Sequence, residues 1–155
     1  NDGYSLINYF SMSRVSVYLN FNRQTEAAFL FYREVFQTEF VSEIARMGDV
    51  PPSPDQPPLA EEDKDLVMHV ELPLFGDFVL MGTDAPESMG FTVNPGNNVY
   101  LNLEPDTRAE TEQLFARLSE NGVVETPLQE MFWGGYYGSC RDQFGILWMF
   151  NCSAK

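Results

Sequence analysis

Residues 17–21 read VYLNF and residues 99–103 read VYLNL. Each pentapeptide leads through a short polar turn into a helical pattern, and a repeat of that kind governs how the whole chain is read. In the first copy, RVSVYLNF alternates. Val15, Val17, Leu19 and Phe21 point one way and Ser16, Tyr18 and Asn20 the other, which is the period of a β-strand. Both sets hold sizeable side chains, so neither face is simply solvated. The following stretch, RQTEAAFLFYREVF, places apolar residues at Ala27, Ala28, Phe31 and Val35 along one helical stripe, with Asn22 as the N-cap.

Outward from there, EFVSEIARM (39–47) predicts a second strand. The stretch 48–65, GDVPPSPDQPPLAEEDKD, holds five of the ten prolines and a run of acids. It reads as a long exposed loop, because proline removes backbone donors and biases its neighbours away from helix. DLVMHVELPLFGDFVLMGTD (65–84) reads as a hairpin turning near Phe75-Gly76-Asp77. A linker rich in Gly, Pro and small polar residues follows at 85–96.

The second copy repeats the order. After VYLNL, Thr107 and Glu110 form a capping-box pattern. A helix carrying Leu114, Phe115 and Leu118 then runs to a stop at Gly122. VVETPLQE is extended, and FWGGYYGSCRDQFGILWMFNC makes a last hairpin whose turn spans Asp142 to Gly145. Strand, helix, strand, strand, strand is thus written twice. The fold class is α+β: paired βαβββ modules forming a cupped mixed sheet. Module one is 13–84 and module two 97–151 within a single domain, 13–151, with 1–12 as an N-terminal extension. A helix covers one face of each sheet. Pairing the modules edge to edge gives a larger curved sheet with a concave inner face, a shape suited to small ligands.

Charge narrows the partners. The chain has 23 Asp and Glu against 9 Lys and Arg, a formal charge of -14. Such a surface repels phosphate backbones and anionic lipid, so no nucleic-acid or membrane partner is expected. No stretch of about 18 apolar residues is present to span a bilayer. NDGYSLINYFSMSR at the start lacks the features of a secretion signal, so a cytoplasmic location is expected, with Met12 available as a start residue. Cys140 and Cys152 do not make a disulfide scaffold. A turn at 142–145 sets Cys140 opposite about residue 147 rather than Cys152, so two reduced thiols are expected.

Three segments carry a family resemblance: VYLNFNRQTEAAFLFYREVF (17–36), VMHVELPLFGDFVLMGTD (67–84) and FWGGYYGSCRDQFGILWMFN (132–151). The last is the most specific, with its Phe132-Trp133-Gly134 opening and its Asp142-x-Phe144-Gly145-x-x-Trp148-Met149 close. Over 13–151 the chain resembles the vicinal oxygen chelate (glyoxalase/bleomycin resistance/dioxygenase) superfamily. Within it, the chain most resembles the PhnB-like branch, labelled 3-demethylubiquinone-9 3-methyltransferase-like. The resemblance implies a homodimer that completes its cups near the interface. Metal-using members carry His or Glu at positions that fall here on Ser16 or Val17, Asn98 or Val99, Met81 and Met149. None of these is a good hard-metal ligand, so no metal is expected. No cofactor is expected either. Methyl transfer from S-adenosylmethionine usually accompanies a glycine-rich loop after a first strand, and NRQTEAA stands there.

Several side chains are candidates for a site. His69 is the only histidine and shares a strand face with Glu71. It can serve as a base, a hydrogen-bonding group or a satisfied structural residue. Tyr18 and Asn20 share a face, as do Tyr100 and Asn102, and the repeat relates the two pairs; they either line the cup or pack towards the helices. Trp133, Tyr136, Tyr137 and Trp148 cluster in sequence as a ligand clamp, a core or a dimer seam. Arg141 can hold a carboxylate or phosphate, or pair with a nearby acid. The first functional reading is a metal-independent binder of a small organic molecule in the cup, through His69, the Tyr/Asn pairs, Trp133, Tyr136, Arg141 and Trp148. The alternatives are a small-substrate enzyme of isomerase, lyase or oxygenase type using His69, and a dimeric interaction module whose cup is plugged.

Overall fold

Alternation in the first strand survives folding. In the computed structural model, which describes residues 13–154, β1 (Val17–Phe21) buries Leu19 and Phe21 and exposes Tyr18 and Asn20. The extension 1–12 lies outside the described residues. Helix α1 (Thr25–Phe36) begins later than Asn22 suggests. Gln24 is its N-cap residue and makes no side-chain cap bond. Instead the buried Asp84 accepts from the Thr25 N–H at 3.1 Å and from the Val67 N–H at 2.8 Å, so a distant carboxylate satisfies the helix end. The buried stripe of α1 is Thr25, Ala28, Phe29, Tyr32 and Val35, and Ala27 is exposed. The stripe is thus rotated from the expected one, because Gly82 lets the Phe29 ring press onto the sheet.

The strand expected over 39–47 shrinks to β2 (Ala45–Arg46). Its register slips between those two residues, and upstream one N–H···O bond, Val41 to Glu71 at 3.1 Å, ties the segment to the sheet. The proline-rich stretch is exposed along most of its length. It returns to the core at Asp63, which pairs with Arg23 at 2.8 Å and accepts from Ser88 at 2.7 Å.

Strands β3 (Val67–Pro73) and β4 (Val79–Asp84) form the expected hairpin. The first sheet has the order β1-β4-β3-β2, with β1 parallel to β4. Module two supplies β5 (Leu101–Leu103), α2 (Arg108–Leu118), β6 (Val123–Glu130), β7 (Tyr136–Arg141) and β8 (Leu147–Cys152), in the order β5-β8-β7-β6. The same topology occurs twice, as two four-stranded mixed sheets rather than one continuous ladder.

The pseudo-symmetry differs from the sequence repeat by two residues. The hairpin tips match through Leu74 N–H to Phe78 C=O and Asp142 N–H to Ile146 C=O. That match sets Leu80 on Trp148. Since Val17 pairs with Leu80 and Leu101 with Trp148, Val17 corresponds to Leu101, not to Val99. Tyr18 therefore corresponds to Asn102 and Ser16 to Tyr100. The expected Tyr-for-Tyr and Asn-for-Asn relation is corrected, yet the faces stay as read, because a shift of two residues leaves a strand's faces unchanged.

Module one grips module two through α1. Tyr32 meets Trp148 edge-on at 5.5 Å, and Phe31 packs on Phe144 at 5.8 Å. The Asp142 carboxylate ties both modules. It accepts from Tyr32 Oη at 2.6 Å, Trp148 Nε1 at 2.9 Å and the Phe144 and Ile146 N–H groups at 2.8 and 3.0 Å. In α2 the Thr107 hydroxyl accepts from the Glu110 N–H at 3.1 Å, as the capping pattern requires. The helix ends at Leu118, before Gly122, and Asn121 takes the left-handed conformation at φ 57°.

Cys140 and Cys152 are free and buried. Cys140 stands opposite Trp148, one residue from the expected partner position. Burial pushes its thiol up to about 11 from the ordinary 9.0. This thiol's contribution to folding is therefore complete below about pH 9 and is lost as the pH rises towards 11. Cys140→Ala should show a flatter stability profile than the parent across that window. Native Cys140 should also resist iodoacetamide near neutral pH until the protein is unfolded. Rapid labelling of the native protein would contradict its burial.

Candidate functional site

The face of sheet one turned away from α1 gathers polar groups. Gly82 approaches α1, so its pairing partner Val70 also faces the helix, and Tyr18, Met81, Glu71 and His69 project from the other side. Tyr18 Oη lies 2.8 Å from His69 Nδ1, and His69 Nε2 lies 2.9 Å from Glu71 Oε1. An ionised carboxylate only accepts, so Nε2 carries the proton facing Glu71. In the neutral imidazole Nδ1 is then the acceptor, and the Tyr18 hydroxyl donates to it. A phenol oxygen keeps lone-pair capacity for a ligand. If His69 becomes protonated, both ring nitrogens donate and the Tyr18 O–H is released to point elsewhere. Burial, and then the Glu71 charge, hold the Tyr18 pKa above its ordinary value, so this group works as an O–H and not as a phenolate. The spacing of Glu71 and His69 was visible in sequence. Tyr18, distant along the chain, joins them only through the β1–β4–β3 order.

A separate polar set occupies sheet two. Tyr100 donates to Glu125 Oε1 at 2.9 Å, and Asn151 Nδ2 donates to Asn102 Oδ1 at 2.7 Å. The Glu125 hydrogen bond raises the Tyr100 pKa, while the Arg141 charge nearby opposes that shift. Arg141 itself donates to the Gly145 carbonyl at 3.2 Å. Glu125 had no signal in sequence, since acids are abundant and β6 reads without a clean alternation.

The aromatic cluster of the last segment is dispersed. Trp148 is fully buried and donates to Asp142, which commits it to the core. Tyr136 lies towards α2, where it donates to Glu112 at 3.0 Å beneath the Arg108 guanidinium. Trp133 is 56% exposed at the β6–β7 turn and meets Phe132 edge-on. These three therefore form no common clamp: Trp148 takes the core alternative, Tyr136 lies against α2, and Trp133 lies off the sheet.

Where β1, the linker and the β7–β8 turn meet beside β5, a cleft of about 680 Å³ opens, bordered by Tyr18 and Asn20. A smaller cavity of about 280 Å³ lies by the Leu74–Phe78 tip, with Tyr100, Asn102 and the inner Trp148 in its walls.

The positions used for metals by other members are also placed. Ser16 Oγ lies 3.8 Å from Met81 Sδ, so the module-one pair does come together. Pseudo-symmetry moves the module-two counterpart of Ser16 to Tyr100, not Asn98 or Val99, with Met149 as its companion. A hydroxyl, a phenol and two thioethers make a poor donor set for zinc, nickel or iron. Among the described residues, no group of three or more His, Cys, Asp or Glu is placed to hold a metal ion. Likewise, among those residues no helix is long and apolar enough to cross a membrane.

Comparison with known proteins agrees with this architecture. The family model for 3-demethylubiquinone-9 3-methyltransferase matches residues 13–150. The crystal structure of protein PA1353 from Pseudomonas aeruginosa is 31% identical, covers 92% of this chain and 99% of its own, and superposes with a TM-score of 0.77. A putative 3-demethylubiquinone-9 3-methyltransferase, PhnB protein, from Bacillus cereus is 25% identical, with 90% and 99% covered and a TM-score of 0.68. Protein YjdN of Escherichia coli (strain K12) is 26% identical over 146 residues, 88% of this chain and 93% of that protein. With the repeated βαβββ topology and a match along nearly its whole length, the chain belongs to the 3-demethylubiquinone-9 3-methyltransferase family, the PhnB-like branch of the vicinal oxygen chelate superfamily.

Proposed function

We propose that this protein binds a small organic molecule without a metal, in the cleft beside β1, and that it works as a cytoplasmic homodimer. The observation that carries the reading is the Tyr18–His69–Glu71 hydrogen-bonded chain, built on rigid strands at the border of the cleft. A carboxylate orients the imidazole, the imidazole orients the phenol, and Asn20 stands on the same strand face. That is a preorganised polar edge on a largely apolar recess, the usual composition of a ligand site. Tyr100, Asn102 and Arg141 form a second candidate contact surface on sheet two. The Ser16, Met81, Tyr100 and Met149 donors favour binding without metal.

The same chain of hydrogen bonds supports a second reading, an enzyme on a small substrate. His69, with its tautomer held by Glu71, would pass a proton through Tyr18. The plugged interaction module is disfavoured by the open cleft.

Native mass spectrometry with metal analysis on the purified protein tests the proposal. The expected species is a dimer carrying an organic adduct and no stoichiometric metal, and Tyr18→Phe together with His69→Gln should strip the adduct. One tightly held metal per subunit, or an adduct untouched by both substitutions, would overturn the reading.

A further inference from the structure

The chemistry of the cleft wall goes further. Of the residues lining it none is charged, although 21% of the chain is. In their place stand five carboxamides, Asn20, Asn22, Gln24, Asn94 and Asn98, together with the Tyr18 phenol. Phe91, Phe144, Ile146 and Val99 supply apolar surface between them. Among the described residues, no side-chain hydrogen bond to another part of the protein engages these carboxamides.

The neutrality has a structural cause. Arg23 sits between two lining residues, Asn22 and Gln24. It adopts φ 63°, and its side chain turns away to Asp63 at 2.8 Å and Ser88 at 3.0 Å. The one cation in that segment is thereby withdrawn from the cleft and neutralised elsewhere.

We infer that the cleft selects an uncharged organic ligand bearing amide groups beside an apolar portion. The inference rests on the small-molecule reading above and names its ligand class. A carboxamide offers a donor and an acceptor side by side, which an amide on a ligand matches reciprocally. A charged ligand would lose hydration and meet no counter-charge in the lining. The overall charge of -14 repels anions further, by a long-range effect that salt screens.

Three probes of one scaffold test this: N-acetyl-L-phenylalaninamide (neutral), N-acetyl-L-phenylalanine (anionic) and L-phenylalaninamide (cationic). Each is titrated into the ¹⁵N-labelled protein at moderate salt, following the side-chain amide signals of the five carboxamides and the ring signals of His69. The neutral probe should bind tighter than either ion by about tenfold or more, with shifts at the carboxamides. Asn22→Asp, a near-isosteric change at an exposed position, should weaken the neutral probe and favour the cation. Equal or tighter binding of an ion to the parent protein overturns the inference. So do shifts confined to the His69 ring, which would leave the small-molecule reading standing. Silence from all three probes overturns the amide-ligand assignment, whereas failure of the broader reading would show independently as a bound metal in the native mass spectrum.

Discussion

Asp142→Ala should destabilise the protein by about 4 kcal/mol, because it orphans two buried side-chain donors at roughly 1–3 kcal/mol each and loosens a turn as well. For a chain of this length the melting temperature should fall by roughly 10 °C. The carboxylate is 3% exposed and accepts from Tyr32 in α1, Trp148 in β8 and two backbone N–H groups of the β7–β8 turn. Removing it leaves the Tyr32 hydroxyl and the Trp148 indole N–H buried without partners. Those donors come from different modules, so the loss should appear as weaker cooperation between the two halves. Asp142→Asn keeps one acceptor oxygen for the turn but aims an amide N–H₂ at donors, and about half of the loss should remain. Thermal and urea melts followed by circular dichroism read both. A change below about 1 kcal/mol for Asp142→Ala would mean that the modules are not joined through this group.

Gly122→Ala should cost about 3 kcal/mol, at the upper end of ordinary overpacking. An added Cβ would sit 2.2 Å from the Arg141 carbonyl oxygen and 3.1 Å from the Asp142 backbone. Both neighbours are main chain, one at the end of β7, the strand that β6 pairs with, and one at the start of the turn after it, so the strain cannot be relieved by turning a side chain. The glycine is thus required by close approach of two backbone segments and not as a helix terminator. Asn121 takes the left-handed role instead, and Asn121→Gly should change stability by no more than about 0.5 kcal/mol. The contrast between the two substitutions, in the same denaturation experiment, separates the explanations. A small effect at Gly122 would mean that the close backbone approach does not require glycine there, and a large one at Asn121 would mean that its side chain does more than tolerate the left-handed turn.

Which side chains share a strand face was legible in the sequence where spacing is local. His69 and Glu71 lie two apart on a strand and so share a face, and Tyr18 and Asn20 do likewise. The same rule scattered the aromatic cluster, since Tyr136 and Tyr137 are adjacent and must point oppositely. Asn22 failed as a cap because Asp84, far along the chain, already holds the Thr25 N–H. No local pattern announces a cap supplied from another strand.

By itself the sequence determined the periodicities: two runs of strand, helix and three strands, which side chains share a face in the alternating strands, the hairpin turns, and a surface unsuited to polyanions. These follow from backbone geometry, which repeats every two residues in strands and every 3.6 in helices. Only the tertiary structure decided the register, two residues from the repeat. It also decided which residues meet across strands, where Arg23 points and what lines the cleft. Those outcomes depend on contacts between segments remote in the chain, where hydrogen-bond satisfaction and close packing choose among arrangements that the local pattern leaves equal in energy.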